Sequence, residues 1–207
     1  MRAVAESDTK EPQMSQAQVR FATPSDEAAV VQTIVSAFAA DPMARWSWPD
    51  DDDYQAHMPS FTRAFGGRAF ECQGAHCTDD CSGAALWLAP ELHPDEDALG
   101  AIVESTVSDS IRGELYAVLE QMETYHPTEP HWYLPMIGVG ASFQGKGFGG
   151  ALLSFALERF DEEGRVAYLE SSNPRNISLY ERHGFDALGE IQVGTSPTIV
   201  PMVRRPK

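Results

Sequence analysis

Residues 144–150 read Gln144-Gly145-Lys146-Gly147-Phe148-Gly149-Gly150, between a run suited to a strand and a run suited to a helix. The strand run is His131 to Val139, rich in aromatic and β-branched side chains. The helix run is Ala151 to Glu163, with Leu152, Leu153, Ala156, Leu157 and Phe160 on one face. Glycines let a backbone approach a ligand with no Cβ in the way. Loop N–H groups and the start of the next helix then point at an anion, and Lys146 adds positive charge. In physical terms the loop is a pyrophosphate cradle. Its glycines alone do not name the ligand. Gly145-x-Gly147-x-x-Gly150 also matches the dinucleotide-binding spacing, and Glu170 stands where a ribose-binding acid would.

Downstream, Val166 to Glu170 reads as a buried strand, and Asn173-Pro174 opens a helix that runs to His183 and closes at Gly184. Phe185–Ile191 and Ile199–Val203 are expected as the last two strands. Upstream, Val19 to Ala22 is a short strand, and Thr23-Pro24-Ser25-Asp26 starts a helix. Val30, Val31, Ile34, Val35 and Phe38 continue that helix, and Asp41-Pro42 stops it. Tyr54, Met58, Phe61 and Phe65 mark a second helix ended by Gly66-Gly67. Ala75 to Thr78 and Ala84 to Leu88 form a hairpin, and two helices follow near 95–110 and 113–125. The mixture predicts an α/β or α+β sheet with helices on both faces.

The 207 residues suit one domain over 19–207, after a flexible tail over 1–18 that lacks an apolar leader segment. At 43 % hydrophobic residues the chain has the means to bury a core. No apolar run approaches the roughly 20 residues of a membrane span. The net charge of −16 disfavours nucleic acid and anionic membrane surfaces, and reads either as attraction for a cationic small molecule or as acidity that only keeps the protein in solution. Three cysteines make no disulfide framework and fit a reducing cytoplasm. Cys72, His76, Cys77 and Cys81 lack the paired close spacing of a structural zinc site, so no metal is expected. His57, His93 and His126 read as surface residues, and neither His131 nor His183 carries an assigned role.

Gln144 separates the two readings of the loop. Gln144-x-x-Gly147-x-Gly149 resembles the arginine-or-glutamine, x, x, glycine, x, glycine-or-alanine signature of the GNAT superfamily of N-acetyltransferases. Leu134 to Val139 resembles that family's fourth strand, and Asn173, Asn176, Tyr180 and Gly184-Phe185 its second cofactor motif. Within the family, 121–185 is similar to the puromycin N-acetyltransferases, while 40–82 departs from them. The resemblance implies a mixed, mostly antiparallel sheet of about seven strands, splayed between strands four and five, with acetyl-CoA between them as co-substrate. It implies cofactor contacts from Ile137, Gly138, Val139, the loop Gln144 to Gly150, Asn176 and Tyr180.

The implied reaction is acetyl transfer to a primary amine of a small molecule. Backbone N–H groups at Ile137 to Val139 would polarise the thioester carbonyl. Tyr180 would protonate the departing thiolate, and Glu170 would take the proton that a protonated amine must lose. Glu170 reads equally as a partner of Arg175 or Arg182. Trp46, Trp48 and Tyr133 read either as an aromatic wall for the acceptor or as core packing. Pro135 has no N–H and suits a point where strand pairing breaks. Acetylation of proteins or peptides, and acyl-CoA binding without catalysis, are the competing functions. The expected assembly is a monomer or a homodimer.

Overall fold

The computed structural model describes residues 18–207. The expected tail therefore lies, apart from its last residue, outside the described residues. The elements are β1 (Val19–Phe21), α1 (Glu27–Ala37), α2 (Pro42–Ser47), α3 (Asp51–Gly66), β2 (Ala75–Thr78), β3 (Gly83–Leu88), α4 (Glu96–Thr106) and α5 (Asp109–Tyr125). Next come β4 (His131–Val139), α6 (Phe148–Glu162), β5 (Val166–Ser171), α7 (Ile177–Arg182), β6 (Asp186–Ala187) and β7 (Val200–Arg204). The seven strands form one sheet in the order β1-β2-β3-β4-β5-β7-β6. Only β4 and β5 run parallel; every other neighbour is antiparallel. This is the mixed, mostly antiparallel sheet that the resemblance implies.

Each face of the sheet buries a separate core. Val30, Val31, Ile34 and Val35 of α1 recur at helical spacing and pack with Tyr54, Met58 and Val103 over Leu86, Leu88 and Tyr133. On the other face Leu152, Leu153, Ala156, Leu157 and Phe160 of α6 cover Ala85, Trp87, Trp132 and Leu134. Alternation along β3 and β4 assigns side chains to the two faces. In β4 that alternation breaks once. Tyr133 and Met136 share the α1 face although three positions separate them. The register explains it, because Leu88 pairs with Tyr133 while Leu86 pairs with Met136, so β4 carries one extra residue around 134–135. Such a bulge bends a strand and re-aims the residues beyond it.

The same place ends the pairing with β5. The parallel register runs from His131↔Val166 to Leu134↔Leu169 and stops there. Pro135 comes next, and it has no N–H to continue a ladder. From Met136 to Val139, β4 pairs with β3 alone. The two strands part in a V, as expected from the resemblance.

The structure changes four boundaries. Helix α1 ends at Ala37, short of Asp41-Pro42, which instead begins α2, since the Asp41 carboxylate accepts from the N–H groups of Met43 and Ala44. Helix α6 begins three residues earlier than expected, at Phe148, because Gly147 supplies a left-handed cap. The helix after β5 is split, with a 3-10 turn at Pro174–Asn176 before α7. The expected strand Phe185–Ile191 reduces to Asp186–Ala187 and one bridge between Ile191 and Ile199. Between them Gly189 passes so close to the Tyr125 ring that a Cβ would lie 2.7 Å from its hydroxyl.

Candidate active site

The parting of β4 and β5 opens a cleft of about 680 Å³. Ile137, Gly138 and Val139 form one wall, Glu170, Asn176 and Tyr180 the other, and Gln144, Gly145, Gly147, Phe148, Gly149 and Gly150 close the end. Gly145 and Gly147 have φ values of +73° and +86°, and an added Cβ at either would meet only open space. Glycine is needed there for conformation, not for room. Gly147 caps α6 without any side-chain hydrogen bond, so the first-turn N–H groups of that helix keep their capacity for an outside acceptor. The Gln144 amide donates to the Val139 carbonyl at 3.0 Å and ties the loop to the end of β4. Lys146 turns away, with its ammonium 5.2 Å from the Phe143 ring centroid, and does not line the cleft.

A second cavity of about 120 Å³ lies on the α1 side of the sheet. Trp48, Phe61, Phe65, Met122, Tyr133 and Met136 are among its mostly apolar lining, and no Lys or Arg lines it. Trp48 and Tyr133 thus meet as expected. Trp46 does not join them; its indole N–H donates to Thr195 at 3.2 Å. Residues advance about 100° per position around a helix, so Trp46 and Trp48 face nearly opposite ways.

The two cavities share Phe38, Asp41, Pro135, Glu170 and Ser172. Tyr180 lines the cleft, 5 % exposed, with its ring edge-on to Phe185. Burial, and after it the Asp41 charge, push the Tyr180 phenol well above its ordinary pKa, so it keeps its proton. The Glu170 side chain is 3 % exposed. It pairs with neither Arg175 nor Arg182. Its neighbour is His126, 3.3 Å away but not aligned as a hydrogen bond, and Oε1 is left without a partner. Burial first, then the Glu170 charge, hold the Tyr133 and Tyr168 phenols protonated.

Asp41, Ser172 and His126 have no local signature as site residues. Asp-Pro signals a helix boundary, and nothing local shows that the capping carboxylate also faces a cavity. Asp41 Oδ1 accepts from Met43 N at 3.0 Å and Ala44 N at 3.1 Å, and Oδ2 accepts from Ser172 Oγ at 2.6 Å. Burial outweighs these donors and raises the Asp41 pKa above its ordinary 3.8. A raised folded-state pKa means that the ionised form costs stability as pH rises above about 4. Asp41→Asn keeps an acceptor for the cap and is expected to melt no lower than the parent at neutral pH. Asp41→Ala loses the cap and is expected to cost about 1–2 kcal/mol in denaturant titrations.

Residues 40–185 match the family model for acetyltransferases of the GNAT type. The chain belongs to that GNAT family. A 79-residue segment is 37 % identical to an uncharacterized N-acetyltransferase of Schizosaccharomyces pombe, covering 37 % of this chain and 32 % of that protein. The chain thus spans about a third of that curated relative. The fold of a crystal structure described as histone acetyltransferase HPA2 and related acetyltransferase, from Corynebacterium glutamicum, superposes with a TM-score of 0.63 at 27 % identity, covering 91 % of this chain and 96 % of that one. Arylalkylamine N-acetyltransferase 2 from Aedes aegypti superposes equally well, with a TM-score of 0.63 over 92 % and 99 % of the two chains. At 12 % identity that likeness speaks for the fold alone. Among the described residues, no helix is long and apolar enough to cross a membrane, and no cluster of three or more His, Cys, Asp and Glu is placed to hold a metal ion.

Proposed function

We propose that this GNAT acetyltransferase moves an acetyl group from acetyl-CoA to the primary amine of a small molecule with an apolar body. The observation that carries the reading is the junction. A glycine-ended cleft with uncapped helical N–H groups and Arg175 and Arg182 in its lining meets an apolar cavity whose charged groups are both acids. The first suits a phosphorylated co-substrate. The second suits an amine, with Asp41 and Glu170 as counter-charges at its inner end.

The steps rest on the groups present. Glu170 has an unpartnered oxygen and takes the ammonium proton, whereas Asp41 already accepts three hydrogen bonds and supplies charge. The freed amine nitrogen bonds to the thioester carbon. Backbone N–H groups on the open edge of Ile137 to Val139 stabilise the oxyanion. The C–S bond then breaks, Tyr180 gives its proton to the leaving thiolate, and the acylated nitrogen loses its second proton to return the phenol and leave the neutral amide.

An apolar void of about 150 Å³ accommodates benzene, so the 120 Å³ cavity suits a body about one aromatic ring wide. The likeness of 121–185 to the puromycin N-acetyltransferases and the Trp48 and Tyr133 lining support an aromatic or aminonucleoside-like amine. A space of that volume suits a compact acceptor better than an extended peptide. Thiol release from acetyl-CoA is expected with arylalkylamines at higher kcat/KM than with lysine peptides. Acetyl-CoA is also expected to raise the melting temperature more than NAD does. Turnover confined to peptides would replace the small-molecule reading, and stabilisation by acetyl-CoA without turnover on any amine would leave a binding module.

A further inference from the structure

Two histidines that the proposed reaction leaves unused stand behind Glu170. His126 caps the C-terminus of α5, and His131 opens β4. His126 Nδ1 lies 3.1 Å from His131 Nε2, and His131 Nδ1 lies 2.9 Å from the Glu129 carbonyl. Beyond them is an open cleft of about 570 Å³ that both rings line and that shares Tyr133 with the acceptor cavity.

The end of this hydrogen-bonded chain fixes its protons. A carbonyl oxygen only accepts, so His131 Nδ1 carries hydrogen. A neutral His131 then presents a bare Nε2, which must accept from His126 Nδ1–H. A neutral His126 therefore presents a bare Nε2 toward Glu170. Two acceptors then face each other across 3.3 Å, beside the Tyr133 and Tyr168 phenols, and Oε1 has no aligned hydrogen-bond partner. The position between them lacks one proton.

We infer that His126 and His131 form a proton relay from Glu170 to the 570 Å³ cleft, on the far side from the glycine loop. The inference rests on the acetyl-transfer reading of the site. The ammonium N–H bond breaks as the Glu170 O–H bond forms. Glu170 then passes that proton to His126 Nε2, and the carboxylate returns. His126 is the C-cap of the 17-residue helix α5. His126 hands its Nδ1 proton to His131 or releases it to water in the cleft. Burial pushes the His131 imidazole below its ordinary pKa, so its Nε2 is free to accept at neutral pH. His126 and His131 touch neither the amine nor the thioester; they are positioning residues that act through Glu170.

Several titratable groups surround His126. They are Glu123 and Tyr125 from α5, Glu129 from the turn, His131 and Tyr133 from β4, and Tyr168 and Glu170 from β5. Two measurements on the full chain test the relay. ¹⁵N spectra of histidine-labelled protein are expected to show neutral His126 and His131 as Nδ1–H tautomers. The pH profile of kcat/KM is expected to have an acid limb that depends on His126. His126→Gln is expected to move that limb at least one unit lower and to reduce kcat about tenfold. An Nε2–H tautomer at neutral His126, or an unmoved acid limb in an active His126→Gln variant, overturns the relay while acetyl transfer stands. A parent protein that acetylates no amine overturns the underlying reading and the relay with it.

Discussion

Tyr180→Phe is expected to lower kcat about 100-fold while leaving the melting temperature and the KM for acetyl-CoA near the parent values. The change removes one oxygen from a ring that packs edge-on against Phe185, with centroids 6.1 Å apart, and a phenyl ring keeps that packing. On the proposed mechanism, what disappears is the proton that a departing thiolate needs. Burial and Asp41 hold the phenol protonated beyond its ordinary range, so it remains a donor throughout the physiological pH range. Steady-state thiol release with a saturating amine is the measurement. Parent-like kcat would remove Tyr180 from the role of acid. A raised KM with parent-like kcat would make it a binding residue instead.

Gly138→Ala is expected to lower the melting temperature by about 4–8 °C, from a cost of about 2 kcal/mol. A Cβ there would lie 2.6 Å from the Ala37 Cβ, 3.2 Å from Ile34 Cδ1 and 3.5 Å from Ile34 Cα. The first and last of these atoms are fixed to the backbone of α1 and have no rotamer to escape into. The helix must therefore retreat from β4. Ala37 and Phe38, at its end, line the cleft, so the KM for acetyl-CoA is expected to rise with the loss of stability. Thermal melts and initial rates on one preparation check both. An unchanged melting temperature would mean that α1 moves freely on the sheet.

The limits of β4 were legible because His131 to Val139 is a continuous apolar and β-branched run between a proline and a glycine. Pro135 was legible as a break in pairing, and the register does end one residue before it. The bulge was not legible. Two successive residues on one strand opposite one on another is a property of pairing, which β4 alone does not encode. The site divides the same way. Ile137 to Val139, Asn176 and Tyr180 meet across the cleft because strand–loop–helix syntax is local. Glu170 and His126 lie 44 positions apart, and only the parallel register that brings β4 beside β5 sets a surface-looking histidine next to a buried carboxylate. Trp46 misled because an unrecognised six-residue helix, α2, turned it toward Thr195.

The parted strands also bear on how long the protein lasts. Only four register pairs, His131↔Val166 to Leu134↔Leu169, join the β1–β4 half of the sheet to the β5–β7 half through the ladder. Any molecule lodged in the V below them adds cohesion that the ladder lacks, by mass action on the folded state. If acetyl-CoA is that molecule, the abundance of this protein would rise and fall with the energy supply of its cell, through slower proteolysis of the filled form and faster loss of the empty one.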